Sequence, residues 1–244
     1  MKHSLCLLAI ISTMLLTSAG LAATVAGIGN AEVNKGQTTL TLRESFGSDS
    51  DNKAIDNRWR QRLMADYGFT DWYAAGIYLQ SDRRNHNNIE LESVIWENRV
   101  EIHDVKHDGF YSGFRIRYTY RDGDKKPDNL HLRTIIGAPV DNWEFRFNPI
   151  FYTDLGPDSR AGLGIDMRAQ VTYGYSENHR IGMESFHDIG NLRYQSGYYD
   201  QSHTLGFIFT GKLHPGWGYE TGYAKGITTV APDHSVKLFI TRSL

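Results

Sequence analysis

Between Phe110 and Arg121 the chain alternates: Phe110, Phe114, Ile116, Tyr118 and Tyr120 fall on one set of positions, and Tyr111, Gly113, Arg115, Arg117, Thr119 and Arg121 on the other. Successive side chains of a β-strand point to opposite faces, so this stretch is a ribbon with one apolar and one charged face. A soluble sandwich can show the same period. What separates the possibilities is strand length, aromatic ends and how often the pattern recurs.

The ribbon sits behind an N-terminal stretch of another kind. Lys2 precedes an apolar run from Leu5 to Leu16, interrupted at Ser12 and Thr13, and small residues follow from Thr17 to Ala23. This is the order of a secretory leader, and the run is shorter than the roughly 20 residues of a spanning helix. Residues 1–22 are read as a signal peptide cleaved after Ala22. Cys6, the single cysteine, leaves with it, so the mature chain offers no disulfide, zinc–thiolate site or cysteine nucleophile. The formal net charge of −2 gives no sign of nucleic-acid binding.

Beyond Ala22 no apolar run approaches the length of a membrane helix, and mean hydropathy is −0.45. A transmembrane barrel tolerates that value because it needs apolar residues only at alternate positions. Alternation and turn residues mark twelve strands, over 37–46, 57–69, 72–81, 89–102, 109–121, 129–138, 143–153, 161–175, 179–187, 203–213, 217–225 and 234–244. The alternation slips near Val94-Ile95-Trp96, where a bulge is expected. Short connections such as Thr70-Asp71, Ser176-Glu177-Asn178 and His214-Pro215-Gly216 alternate with longer polar ones such as Gly47–Asp56 and Asp188–Ser202. Tight periplasmic turns and long external loops have this asymmetry, and an even strand count returns both termini to the periplasm. The expected fold is an all-β, transmembrane, antiparallel up-and-down barrel over 37–244, in the outer membrane, with 23–36 as a periplasmic lead-in or a small plug.

Aromatic residues cluster at both strand ends. Tyr67, Phe69, Trp72, Trp143, Tyr173, Tyr175 and Trp217 lie beside the short turns, and Tyr118, Tyr120, Phe151, Phe186 and Tyr223 at the opposite ends. Rings so placed suit girdles at headgroup level. The final strand, Val236 to Leu244, resembles the terminal strand of outer-membrane barrels, which assembly machinery reads. That class usually ends in Phe or Trp; this chain ends in Leu244 and puts Arg242 on the lipid-facing set, where a rim arginine can snorkel.

The inward set carries Arg60, Arg62, Arg115, Arg117, Arg133, Arg146 and Arg168, with Asp66, Glu90, Glu92, Glu144, Asp166 and Glu220. Glu144 and Arg146, like Asp166 and Arg168, place opposite charges two apart on one face. Two roles stand open: such residues line a water-filled pore, or they pair and hold a narrow barrel shut. Size, strand number and these arginines are similar to the small monomeric porins for acidic oligosaccharides. Ala161–Asp166 and Ala231–His234 resemble uncharacterised proteobacterial outer-membrane transporter-like proteins. The resemblance implies a monomeric channel for small polar, anionic solutes, with the lipid bilayer, lipopolysaccharide and the assembly machinery as its other partners. A non-conducting structural or adhesive barrel, a rim lipid hydrolase and a soluble periplasmic β-protein are the alternatives.

For a hydrolase, His187-Asp188 with Asp200 or His203 supplies a base and its orienter, but no His-x-Ser-Asn arrangement accompanies them. His103, Asp104, His107 and Asp108 have metal-ligand chemistry, yet fall in a turn where solvated side chains are the plainer reading. No catalytic residue, metal or cofactor is assigned. The glycines of Ala26-Gly27-Ile28-Gly29-Asn30 follow no strand and make no phosphate loop.

Overall fold

Each strand of this chain hydrogen-bonds only to its sequence neighbours, until the last meets the first. The structure, a computed structural model, describes residues 25–52, 56–83, 87–121, 127–156, 159–195 and 197–244. The leader assigned to 1–22 lies outside the described residues. Twelve antiparallel strands form a closed barrel. They are β1 (Thr38–Ser48), β2 (Arg58–Gly68), β3 (Tyr73–Arg83), β4 (Glu90–His103), β5 (Tyr111–Arg121), β6 (Asp128–Val140), β7 (Trp143–Leu155), β8 (Gly164–Ser176), β9 (His179–Asn191), β10 (Ser202–His214), β11 (Trp217–Gly226) and β12 (His234–Ser243). β1 pairs with β12 from Thr39↔Ser243 to Ser48↔His234, so the sheet closes on itself. Leu244 N–H donates to Thr38 O at 2.8 Å, which sets the C-terminus beside the start of β1 on the rim that carries the short turns.

Alternation decides which side chains face in. On β2, Leu63 is 50% exposed on the outer face while its neighbour Met64 is 6% exposed on the inner one. Ile77, Trp96, Ile116, Phe145 and Phe207 share the outer face, and Tyr78, Arg115, Asn148 and Lys237 the inner. At the short-turn rim the aromatics touch one another: Trp143 lies 5.0 Å from Tyr173, and Tyr67 4.9 Å from Phe69. Arg242, on the outer set, covers the Trp217 ring at 5.3 Å and donates to Pro215 O at 2.9 Å, so its charge is carried to the turn.

The fourth strand departs from the expected bulge. Register shifts lie at Glu92, between Gln80↔Ser93 and Ser81↔Leu91, and at Ile102, between Glu101↔Gly113 and His103↔Ser112, and not at Val94–Trp96. Ile95 mimics a slip because it is an apolar residue on the inner set, packed against Met64 and Tyr78. The connection from β4 to β5 holds one helical turn, α1 (Val105–Asp108), where Asp104 caps the Lys106 and His107 amides. In β7, Pro149 has no N–H to give, and the β6–β7 ladder lapses between Arg133↔Ile150 and Ile136↔Phe147. That gap borders the site described next.

Candidate functional site: the barrel lumen

All ten residues proposed from the sequence to line the interior, Arg60, Arg62, Arg115, Arg117, Arg133, Arg146, Arg168, Glu144, Asp166 and Glu220, belong to the inner set and are buried or half-buried. Their ion pairs run mostly along the wall. Arg146 Nε donates to Glu144 at 2.8 Å and Arg168 Nε to Asp166 at 2.9 Å, each within its own strand. Arg115 and Arg117 of β5 both donate to Glu97 of β4 at 2.9 Å. Tyr78 OH stands 2.8 Å from both Glu97 and Asp66, and Arg99 lies 3.3 Å from Asp66. On the other side Lys237 binds Glu220 at 2.8 Å and Glu184 at 2.7 Å, reaching from β12 to β9. Arg60 approaches Asp82 and Glu92 at 3.5 Å, and Arg62 Nε donates to Gln80 at 3.0 Å.

Pairing along the wall leaves guanidinium edges turned to the axis, and something occupies that axis. Residues Val25 to Asn34 carry no regular secondary structure, yet Val25, Ile28, Ala31 and Val33 are 0–8% exposed. A buried backbone without a ladder needs other partners. Side chains supply them. Arg43 donates to Val25 O at 3.3 Å, Arg133 and Arg168 each to Gly27 O at 3.4 Å, and Arg146 to Ile28 O at 3.5 Å. Arg115 donates to Asn30 O at 2.8 Å and Arg99 to Glu32 O at 3.0 Å. Glu101 accepts from Val33 N–H at 2.7 Å, and Asn148 bonds Gly29 on both sides. These partners come from β1, β4, β5, β6, β7 and β8, so only the enclosed space can hold the segment.

Close approach to the wall is also built in. Ala31 packs with Tyr111 and Ile135, and a Cβ at Gly113 would stand 2.9 Å from that of Ala31. At Gly68 a Cβ would stand 2.1 Å from Asn34 O, where the chain leaves the lumen at the short-turn rim to begin β1. Tyr78, Asn148, Ile150 and Ile208 are 0% exposed, so the middle of the lumen is packed rather than water-filled in this state. Of the two expectations for 23–36, a periplasmic lead-in or a small plug, the described part, Val25–Asn34, departs from the first and lies inside the barrel. Its apolar positions find apolar inner residues, Ile135 and Tyr111, which draw it in.

Sequence reasoning also missed Arg43, Glu97, Arg99, Asn148, Glu184 and Lys237. Asn148 obeys plain alternation with Arg146, already assigned inward, and Lys237 falls on the set opposite to Arg242. Arg99 and Glu97 were hidden by the inward Ile95.

The other candidate chemistry does not assemble. His187 Nδ1 lies 3.0 Å from His203 Nδ1 on the outer set, with Tyr198 stacked on His203 at 4.5 Å. Asp188 follows on the inner set, where it accepts from Tyr152 OH at 2.9 Å, so His187 and Asp188 face opposite ways. His103 turns to Ser112 at 2.8 Å while His107 pairs with Asp104 at 2.6 Å. No cluster of three or more metal-ligating side chains occurs among the described residues.

No protein-family model and no curated protein matches the chain. Solved structures do. The COG4313 outer membrane channel from Pseudomonas putida F1 superposes with a TM-score of 0.62 at 10% identity, over 90% of this chain and 100% of that one. The NanC porin gives 0.60 at 12% identity over 84% and 100%, and the KdgM porin 0.58 at 10% identity over 84% and 99%. At such identities the likeness is one of fold: a closed barrel of twelve strands.

Proposed function

We propose that this chain is an outer-membrane, porin-like channel for passive passage of small polar solutes, with a preference for anions. The observation that carries the reading is the set of inner arginines whose donors point off the wall to the axis, where they hold backbone carbonyls of Val25–Glu32. Guanidinium groups in a low-dielectric bore attract anions and repel cations. A belt of exposed apolar and aromatic side chains outside, from Leu63 to Phe207, suits lipid. Residues 1–22 act as the export leader, the C-terminal strand is what assembly machinery reads, and the barrel works as a monomer whose outer rim contacts lipopolysaccharide. One neighbour, the KdgM porin, has been solved with oligogalacturonate, an acidic sugar chain, which fits the same preference.

Because the mid-lumen is packed, the N-terminal segment is the part that must leave for solutes to pass. The test is planar-bilayer conductance of the full chain and of a variant lacking 25–34. Discrete, anion-selective steps are expected, larger or more frequent in the shortened protein. Silence of both across several salts would refute the channel and leave a non-conducting barrel held shut by its ion pairs.

A further inference from the structure

We propose that Arg43, Arg133 and Arg168, converging on Gly27, form a binding site for carboxylate- or phosphate-bearing anions, which take the place of the N-terminal segment. The arginines of β6 and β8 meet at one carbonyl, Gly27 O, and Arg43 of β1 reaches the same stretch at Val25 O. Arg133 and Arg168 both donate to Gly27 O, and a Cβ on Gly27 would stand 3.0 Å from Arg43 Nη1. Arg43 and Arg133 have no carboxylate within 4.0 Å among the described residues, and Arg168 has Asp166 alone. Nearby acids are committed elsewhere: Glu97 to Arg115 and Arg117, Glu220 to Lys237.

What the three arginines hold is therefore a poor match for them. Carbonyls are neutral, the bonds to Val25 O and Gly27 O are long at 3.3 and 3.4 Å, and Arg43 Nε is buried with no acceptor among the described residues. A carboxylate or phosphate offers full charge and the paired oxygens that a guanidinium fork engages with two bonds. Gly27 O occupies the position such an oxygen would take. The segment and the anion are thus competitors, and an anion that binds only when the segment is out raises the population of the emptied lumen. At ten times its dissociation constant from that state, the anion multiplies the population about tenfold. The site deepens the channel reading, since its ligand must reach mid-lumen.

The experiment reads the segment directly. Ile28, 3% exposed, is replaced by cysteine, and its reaction with a hydrophilic thiol reagent is timed in micelles containing chloride, phosphate or citrate at matched ionic strength. Phosphate or citrate should speed labelling about tenfold at saturating concentration, and a variant that also carries Arg43→Gln and Arg133→Gln should lose that dependence while keeping the heat-modifiable migration of a folded barrel. An equal or slower rate in both anions overturns the site, as does an anion effect that survives the double substitution. Labelling needs no current. A barrel silent in bilayers still reports binding, and a conducting one with anion-independent labelling removes this proposal alone.

Discussion

Asn148 holds Gly29 by both sides of its backbone: Gly29 N–H donates to Asn148 Oδ1 at 2.9 Å, and Asn148 Nδ2 donates to Gly29 O at 3.2 Å. The carboxamide imitates a neighbouring strand at the point where Pro149 interrupts the real ladder. Each such bond is worth about 0.5–1.5 kcal/mol, and buried partners left unpaired add to the loss. Asn148→Leu should therefore loosen the segment by roughly tenfold or more, since about 1.4 kcal/mol is a factor of ten. Labelling of a cysteine at position 28 in chloride checks this. An unchanged rate would mean that the arginines alone retain the segment.

Pinning should do the opposite of loosening. Ala31 and Ile135 pack in one buried cluster, and Cys6 is the only natural cysteine of the chain. With Ala31→Cys and Ile135→Cys, an oxidised cross-link should abolish bilayer conductance, and reductant should restore it. Current that persists through the cross-linked protein would place the conduction path elsewhere than along the segment.

The barrel itself is legible because alternation is a local signal written in every strand. Phe145-Arg146-Phe147-Asn148 shows it as plainly as the ribbon from Phe110 to Arg121. Glu144–Arg146 and Asp166–Arg168 could be paired from spacing alone, since two residues along a strand is one step on one face. What fills the lumen is left open by the sequence, between a lead-in and a small plug. Val25–Asn34 forms no ladder, so it leaves no period, and its glycines read as an unstructured tail. Its burial rests on contacts distant in sequence, such as Gly29 with Asn148.

Glu97 is 2% exposed and is the shared counter-ion of Arg115 and Arg117, with Tyr78 OH at 2.8 Å. Glu97→Gln leaves two buried guanidinium groups without their acid. Breaking a buried pair from one side costs about 3–5 kcal/mol, so the urea midpoint of the folded barrel should fall. In the variant that still inserts, the reversal potential under a salt gradient should move further towards the chloride potential, because positive charge is uncovered in the bore. A shift towards cations would contradict the placement of these arginines.

Outside the barrel wall, α1 carries a pH-dependent contact. Asp104 Oδ2 lies 2.6 Å from His107 Nδ1 and its other oxygen caps the turn. The carboxylate raises the His107 pKa above 6.5, chiefly through that hydrogen bond, and the histidine holds Asp104 below 3.8. A histidine whose pKa rises on folding lends its stability below the unfolded value and loses it as pH climbs through the folded one. An aspartate whose pKa falls lends its share above about 3.8 and loses it as pH drops through the lowered value. The contact is therefore strongest from about pH 4 to 6.5 and weakens above that range. Both groups lie in solvent, so the effect belongs to the turn and not to the barrel. NMR titration of the His107 ring should place its midpoint above 6.5 in the native chain and back near 6.5 in Asp104→Ala, with α1 frayed by the lost cap. Equal midpoints in the two proteins would show that the pair does not form in water.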